Sequence, residues 1–303
     1  MPCFEPLHGW RSRFSTKSGK YPVVFDKRMS NGIKVQVPCG QCIGCRLMYA
    51  FTWAVRLMYE KLAHDDAIML TATYDDDHLP FGGTLHAEHP RRFINSLRRK
   101  LLREGKTIRY YYVGEYGDDF GRPHYHFLIF GYWPPDAVYW RTDKEHRHYK
   151  SETLEALWKN GITEFTSVTF QTAAYCARYV TKKVTGDNAE EHYSRVDMET
   201  GEIITLLPEF ARMSLRPAIG HESFKEFGQH IMDWDTVVID GKEYRPPRYF
   251  DKLWEEHDPE GFAKAKAERK RRGKKSPDNT PERLAVRQEC ARIRLDRKKR
   301  NLT

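Results

Sequence analysis

No stretch of this 303-residue sequence is apolar for long enough to cross a membrane, which excludes a membrane-spanning helix. The opening residues, Met1-Pro2-Cys3-Phe4-Glu5, lack the basic-then-apolar pattern of a secretory signal. The chain is therefore expected to be soluble and intracellular, with no membrane partner. There is no internal repeat, which excludes a solenoid, and no Walker-type glycine-rich phosphate loop, which argues against a built-in nucleotide motor. Cysteine is scarce, six residues in all. Three of the six are bunched as Cys39-Gly40-Gln41-Cys42-Ile43-Gly44-Cys45, and inside a cell such spacing favours a metal over disulfides.

Charge is plentiful and unevenly placed. The formal net charge is +9, but residues 263–303 carry 16 of the 51 Lys and Arg and only 5 of the 42 Asp and Glu. The remaining 35 basic and 37 acidic residues nearly cancel, so the positive charge belongs to the tail. Such a block suits a phosphate backbone, because binding releases condensed counterions. A solvated extension without a specific partner has the same composition. With 40% hydrophobic residues, the rest of the chain has enough apolar material for a core of ordinary size.

Residues 1–50, rich in Gly, Pro and Cys, read as an irregular Cys-rich N-terminal element. Residues 46–64 repeat apolar side chains at helical spacing, and 67–74 read as a buried strand. A helix is expected over 89–103. Strands over 107–115 and 123–130, joined by a Gly-Asp turn, make a hairpin. A short helix capped by Ser151, a strand over 162–170 and a helix over 171–185 follow. Residues 187–250 show little periodicity. Helix returns at 251–268, and 264–300, basic and low in apolar content, is expected to be partly disordered. The order implies an α+β fold with an antiparallel sheet and helices packed on it. Three regions are expected: 1–50, a domain over 51–250, and a basic nucleic-acid-binding tail over 251–303.

Chemistry first appears on the hairpin. His124 and His126 flank Tyr125, and strand residues two apart share a face. Both imidazoles then point at one place, and Glu115 ends the opposite strand within reach of it. Two imidazoles and a carboxylate leave coordination positions for water or phosphate oxygens. By itself His-x-His is equally the pattern of two half-buried strand histidines. The second signal is Tyr175-Cys176-Ala177-Arg178-Tyr179-Val180-Thr181-Lys182-Lys183. Positions four apart share a helix face, so Tyr175 and Tyr179 stack and Lys182 and Lys183 extend the face. A phenol titrates near ~10 and needs help to attack phosphorus at neutral pH. A neighbouring ammonium stabilises the phenolate, and a metal neutralises the phosphate. Spacing alone equally describes an amphipathic helix with aromatic core contacts.

Taken in order, three segments resemble a known family. Gly121-Arg122-Pro123-His124-Tyr125-His126-Phe127 resembles the His-hydrophobe-His motif of HUH endonucleases. Tyr175-x-x-x-Tyr179-x-x-Lys182-Lys183 resembles the two-tyrosine motif of rolling-circle initiators from small single-stranded DNA phages. Met69-Leu70-Thr71-Ala72-Thr73-Tyr74 resembles their first, Thr-rich strand. Met1-Pro2-Cys3 and Val37-Pro38-Cys39-Gly40-Gln41-Cys42-Ile43-Gly44-Cys45-Arg46 look like the gokushovirus branch of the microviruses. The resemblance covers residues 1–185.

It implies a ferredoxin-like or RRM-like sheet, with Mg²⁺ or Mn²⁺ held by His124, His126 and Glu115. It implies Tyr175 and Tyr179 as nucleophiles, with Lys182 as basic helper and Lys183 beside it. One tyrosine would nick origin DNA and form a 5′-phosphotyrosine; the other would cut the regenerated site so that the strand closes into a circle. The implied partners are single-stranded and origin duplex DNA, a host helicase and a host polymerase. The implied location is the cytoplasm of a bacterial host, as a non-virion viral protein. Ala72 replaces a bulkier apolar residue of the family, and Arg178 keeps a basic residue between the tyrosines.

Cys39, Cys42 and Cys45 with Cys3 are open to three readings: a closed four-thiolate Zn²⁺ site, iron–sulfur ligation, or reduced thiols. Cys176 reads as packing, and Cys290 has no assigned role. Three functional rivals stand beside the nicking enzyme. One is a non-catalytic single-stranded nucleic-acid binder that stacks bases on Tyr110, Tyr111 and Tyr112. Another is an HUH transposase or relaxase. The last is a metallophosphoesterase acting through water.

Overall fold

The computed structural model describes the backbone of residues 3–17, 19–117, 120–143, 145–179, 183–184, 186–197, 200–274 and 279–300, and the side chains of these apart from 179, 274, 296 and 298–300. The chain divides into two compact units, Met1–Tyr49 with Lys266–Thr303, and Ala50–Ala265.

In the first unit, β1 (Leu7–Ser12), β2 (Val23–Val24) and β3 (Ser30–Val37) form an antiparallel sheet in the order β2-β1-β3. The expectation of an irregular N-terminal element is thus corrected. These strands are short and largely exposed, so their sequence carries only a faint alternation of buried and open positions. The division between the units falls within α1 (Ile43–Leu62) and within α8 (Pro259–Lys274).

In the second unit come β4 (Ala67–Tyr74), α2 (Glu88–Arg103), β5 (Arg109–Tyr116), β6 (Pro123–Phe130), β7 (Val138–Asp143), β8 (His146–Lys150), α3 (Glu152–Trp158), β9 (Gly161–Ser167) and α4 (Phe170–Tyr179). Shorter elements follow: α5 (Ala189–His192), β10 (Ser194–Val196), β11 (Ile203–Thr205) and β12 (Phe210–Met213). Then come α6 (His221–Trp234), β13 (Val237–Ile239), β14 (Lys242–Tyr244) and α7 (Arg248–His257). The C-terminal helices are α8 (Pro259–Lys274) and α9 (Pro281–Arg300). The described part of the basic tail is therefore largely helical, where partial disorder was expected; helix-forming Ala, Lys, Arg and Glu dominate it.

Among the described residues the main sheet has seven strands in the order β12-β5-β6-β4-β9-β8-β7, and every pairing is antiparallel. β4 sits at its centre and is covered on both faces, so its sequence is a nearly unbroken apolar run rather than an alternation. On one face Ile68, Leu70 and Ala72 meet Tyr125, Phe127 and Ile129 beneath α2 and α3. The stripe Phe93, Ile94, Leu97 and Leu101 gives α2 its inward face, at the 3-and-4 spacing of an amphipathic helix. On the other face Ala67, Met69, Tyr111, Val113 and Leu128 meet Ala50, Ala54 and Leu57 of α1 and Ala173, Cys176 and Ala177 of α4.

Local signals place these elements. Ser151 accepts the Leu154 N–H and starts α3 as a side-chain cap. Gly161 opens β9 at φ +136, where a Cβ would lie 2.3 Å from the Asp75 nitrogen, so only glycine lets β9 approach the end of β4. Buried Glu60 of α1 pairs with Arg109 of β5 and accepts the Gly220 N–H at 2.6 Å. Burial alone would raise its carboxyl, but His64, Gly220 and Arg109 together hold it below the ordinary value. The β7–β8 hairpin, exposed throughout β7, was not anticipated: Val138, Tyr139 and Trp140 are consecutive and all exposed, so β7 carries no alternation of buried and open positions.

Candidate functional site

The register of the central hairpin sets the site. Glu115 lies directly opposite His124, and His126 lies opposite both Val113 on β5 and Thr71 on β4. All of these residues share the sheet face covered by α1 and α4. His124 Nε2 is 2.5 Å and His126 Nε2 is 2.9 Å from Glu115 Oε1. The ligand atoms of the three residues lie within 4.8 Å of one another. Glu115 and His126 are buried, while His124 is half-buried.

Each imidazole is oriented from behind. His124 Nδ1 is 3.1 Å from the Arg122 carbonyl oxygen, which can only accept, so Nδ1 carries hydrogen. In the neutral ring, Nε2 then bears a lone pair aimed at the Glu115 carboxylate. Two lone pairs at this separation require a proton or a cation between them. His126 Nδ1 is 3.0 Å from Thr71 Oγ1, a hydroxyl that can donate or accept and that holds the orientation of the second ring. Burial works to raise the Glu115 carboxyl, but the adjoining His124 and His126 side chains outweigh it and hold it below the ordinary value. A buried carboxylate with two oriented imidazole nitrogens therefore fits a divalent cation, with positions left for exogenous oxygen ligands.

The tyrosine helix reaches the same face. Ala173, Cys176 and Ala177 are its buried side, and their small size lets the helix lie close to the sheet. Tyr175, half-buried, stands beside this stripe with its ring centroid 5.3 Å from that of His126, nearly perpendicular at 80°. Tyr179 is the last residue of α4, one turn beyond Tyr175; its side chain lies outside the described residues, as does the whole of Lys182. The helix expected over 171–185 covers Phe170–Tyr179, and Lys183 is exposed in a segment without helical bonding. Lys183 therefore does not continue a helical face from Tyr179. Cys176 is fully buried; that burial, followed by the Glu115 charge, pushes its thiol pKa up, so it packs as a neutral group.

Two contributors were missed in the sequence. Thr71 orients His126, and Glu164 of β9 lies opposite Thr71 on the same face, paired with Arg141 at 3.0 Å. Period-two alternation across β4 and β9 carried both, but only a known register brings them to the histidines. The proposed stacking platform fares differently. Tyr111 and Tyr112 are buried in opposite cores and Tyr110 packs against one of them, so the three do not form an open surface for bases.

The second ligand cluster lies in the first unit. The sulfurs of Cys3, Cys39, Cys42 and Cys45 are all within 4.8 Å of one another. Among the described residues no helix is long and apolar enough to cross a membrane.

Residues 67–184, which include β4, the hairpin and α4, match the family model described as replication-associated protein ORF2/G2P. The replication-associated protein VP4 of Bdellovibrio phage phiMH2K is 33% identical over 243 residues, 78% of this chain and 73% of the phage protein. The replication-associated protein ORF2 of Spiroplasma virus 4 is 31% identical over 273 residues, 84% of this chain and 81% of its own length. The replication-associated protein ORF4 of Chlamydia phage 1 is 31% identical over 227 residues, covering 72% of this chain and 53% of that protein. No solved structure matches the chain. With three phage relatives of this kind, and a family model laid over the strands and helix that build the site, the chain belongs to the replication-associated proteins of the microviruses.

Proposed function

We propose that this protein initiates rolling-circle replication by nicking single-stranded origin DNA through a tyrosine, as an HUH endonuclease and strand transferase. The observation that carries this is the Tyr175 ring, 5.3 Å from His126, on the face where Glu115, His124 and His126 converge. The names of the phage relatives support the replication role. The β4-α2-β5-β6-α3-β9 succession, with its strands side by side as β5-β6-β4-β9, supports a ferredoxin-like core.

Glu115, His124 and His126 would hold Mg²⁺ or Mn²⁺, which when bound neutralises the phosphate and strengthens it as an electrophile. The Tyr175 oxygen attacks phosphorus and gives up its proton. The bond from phosphorus to the 3′ oxygen breaks, and that oxygen leaves as a 3′-OH after taking up a proton. The product is a 5′-phosphotyrosine and a primer end for a host polymerase. One phosphodiester replaces another, so the reverse attack by a 3′-OH closes a strand without a nucleotide cofactor. Tyr179, one helical turn on, remains as nucleophile while Tyr175 is occupied. Lys182 and Lys183 supply positive charge just after the tyrosines. Cys3, Cys39, Cys42 and Cys45 would hold Zn²⁺ as a structural ion outside this reaction. A host helicase opens the duplex, and the protein acts in the cytoplasm of an infected bacterium without entering the virion.

The test uses the full chain, Mn²⁺ and end-labelled single-stranded fragments tiling a microvirus genome. A covalent protein–DNA adduct is expected on a denaturing gel, with the peptide mapped to Tyr175 or Tyr179. Cleavage that persists without an adduct when both tyrosines are changed to Phe would instead identify a water-using phosphoesterase.

A further inference from the structure

The first unit has almost no core of its own. Among its described residues the buried apolar side chains are Phe4, Cys42 and Leu284, and these three form a single cluster. So little burial does not hold three short strands and a 20-residue helix together; units of this size normally carry a covalent or metal staple. The cluster is bordered by Cys3, Cys39, Ile43, Cys45 and Ala291. Its N-terminal side thus consists of the four cysteines and the residues directly following two of them.

The sulfur geometry selects among the readings of these cysteines. Cys3 Sγ lies 3.8 Å from Cys42 Sγ, and Cys39 Sγ lies 4.0 Å from Cys45 Sγ. Four thiolates at ~2.3 Å from one tetrahedral ion are ~3.8 Å apart, whereas a disulfide requires ~2.05 Å. A four-iron cluster gives each thiolate its own iron and spreads the sulfurs further. Backbone N–H groups already point at the sulfurs: Cys39 to Cys3 at 3.2 Å, Cys42 to Cys39 at 3.2 Å, and Phe4 to Cys42 at 3.3 Å. Gly40, at φ +77, allows the tight turn that brings the Cys42 N–H back onto Cys39. These are the outer bonds that orient and stabilise metal-bound thiolates.

The geometry points to a zinc clamp: one ion on Cys3, Cys39, Cys42 and Cys45 builds the seat on which the basic helix α9 docks. It rests on the zinc reading of these cysteines and is independent of the tyrosine chemistry. Leu284 packs on Phe4 and Cys42, and Ala291, two turns later, lies along the same stripe. Between them Gln288 donates to Glu5 Oε1 at 2.6 Å. Cys3, Phe4 and Glu5 are consecutive, so tying Cys3 to the ion fixes the two residues that hold the helix. Away from this stripe, Arg292, Arg294 and Arg297 of α9 are exposed. Without the ion the segment around Phe4 keeps only its N–H bonds to sulfur and the β1–β3 pairing that begins at Leu7, and the seat of the only buried contact of α9 among the described residues is loosened.

The test is metal analysis with hydrogen exchange on the full-length protein. One zinc per chain is expected, and replacement by Co²⁺ should give the charge-transfer and visible bands of a tetrahedral four-thiolate site. Stripping the metal should speed exchange at residues 4–12 and 281–300 together, by about tenfold or more, with reversal on adding Zn²⁺. Leu284→Asp should speed exchange at 281–300 while keeping the zinc and the cobalt spectrum, which separates docking from general misfolding. A protein without stoichiometric metal, or one whose 281–300 protection survives stripping, overturns the clamp. Adduct formation at Tyr175, measured in the same samples, reports on the nicking reading separately.

Discussion

The chain carries two clusters of metal-type ligands, and they differ in nearly every respect that matters chemically. Glu115, His124 and His126 stand on two neighbouring strands of a seven-stranded sheet with a large core on each face. They number three, so an ion held there keeps positions for a substrate. The four cysteine sulfurs would suffice to close the coordination of one ion, in a unit whose buried apolar side chains among the described residues are Phe4, Cys42 and Leu284. A rigid core would let a protein leave an ion's coordination open; where the core is small, a closed coordination would take over its work. The supports differ as well: the histidines are held by a hydroxyl of β4 and a carbonyl of the hairpin turn, the cysteine sulfurs by backbone N–H groups of the cysteine-bearing segments.

Substitutions can break this contrast, and the largest effect falls on the open site. His126→Ala should lower the rate of adduct formation in Mn²⁺ by about 10³-fold, because a ligand to the charge-neutralising ion is lost. Its zinc content should not change; a fall in both would mean the clusters are not independent. Next in size is Glu60→Gln, which touches neither cluster. Removing one partner of this buried ion pair should cost about 3 kcal/mol in a denaturant melt at pH 7.

The pH dependence of Glu60 follows from its depressed carboxyl. Its contribution is complete above the ordinary carboxylate value of 4.5 and is lost as pH falls through the lower folded value. Melts of the wild type and Glu60→Gln should therefore converge as the medium is acidified below that point. A difference that stays constant with pH would sink the assignment.

Thr71→Val should be milder. It removes the hydroxyl that orients His126 and should weaken Mn²⁺ activation by about 10-fold, read as a higher Mn²⁺ concentration for half-maximal adduct. An unchanged midpoint would show that the sheet alone orients the ring. The smallest effect is expected on α9. Changing Arg292, Arg294 and Arg297 to Gln should flatten the salt dependence of single-stranded DNA binding by about 0.7 per phosphate contact removed. Adduct chemistry at saturating DNA should be unaffected.

The parts legible in the sequence were those with a strong local period. β4 and β6 were found with their observed ends, and α2 within a residue, because each carries a long apolar pattern. The grouping of His124 with His126 was legible for the same reason, since alternation forces both onto one face. Thr71 and Glu164 were not, because their neighbours across the sheet come from a register set by loops and distant packing. α4 is described through Tyr179; of the helix expected to continue to 185, Lys183 and Val184 are described and are not helical, while 180–182 and 185 lie outside the described residues. The β7–β8 hairpin escaped because Val138, Tyr139 and Trp140 are consecutive and all exposed, which gives β7 no period-two pattern.

Sequence alone determined the α+β class with its antiparallel sheet, the ligand types, the two spaced tyrosines and the concentration of positive charge at the C-terminal end. These are properties of composition and short-range spacing, which the chain carries whether or not it is folded. Tertiary structure alone decided that the Tyr175 ring stands against His126, and that Cys3 joins three cysteines more than 30 residues away. It likewise decided that Leu284 closes over the cysteine cluster. Such meetings depend on which distant segments bury one another, and no local pattern encodes that choice.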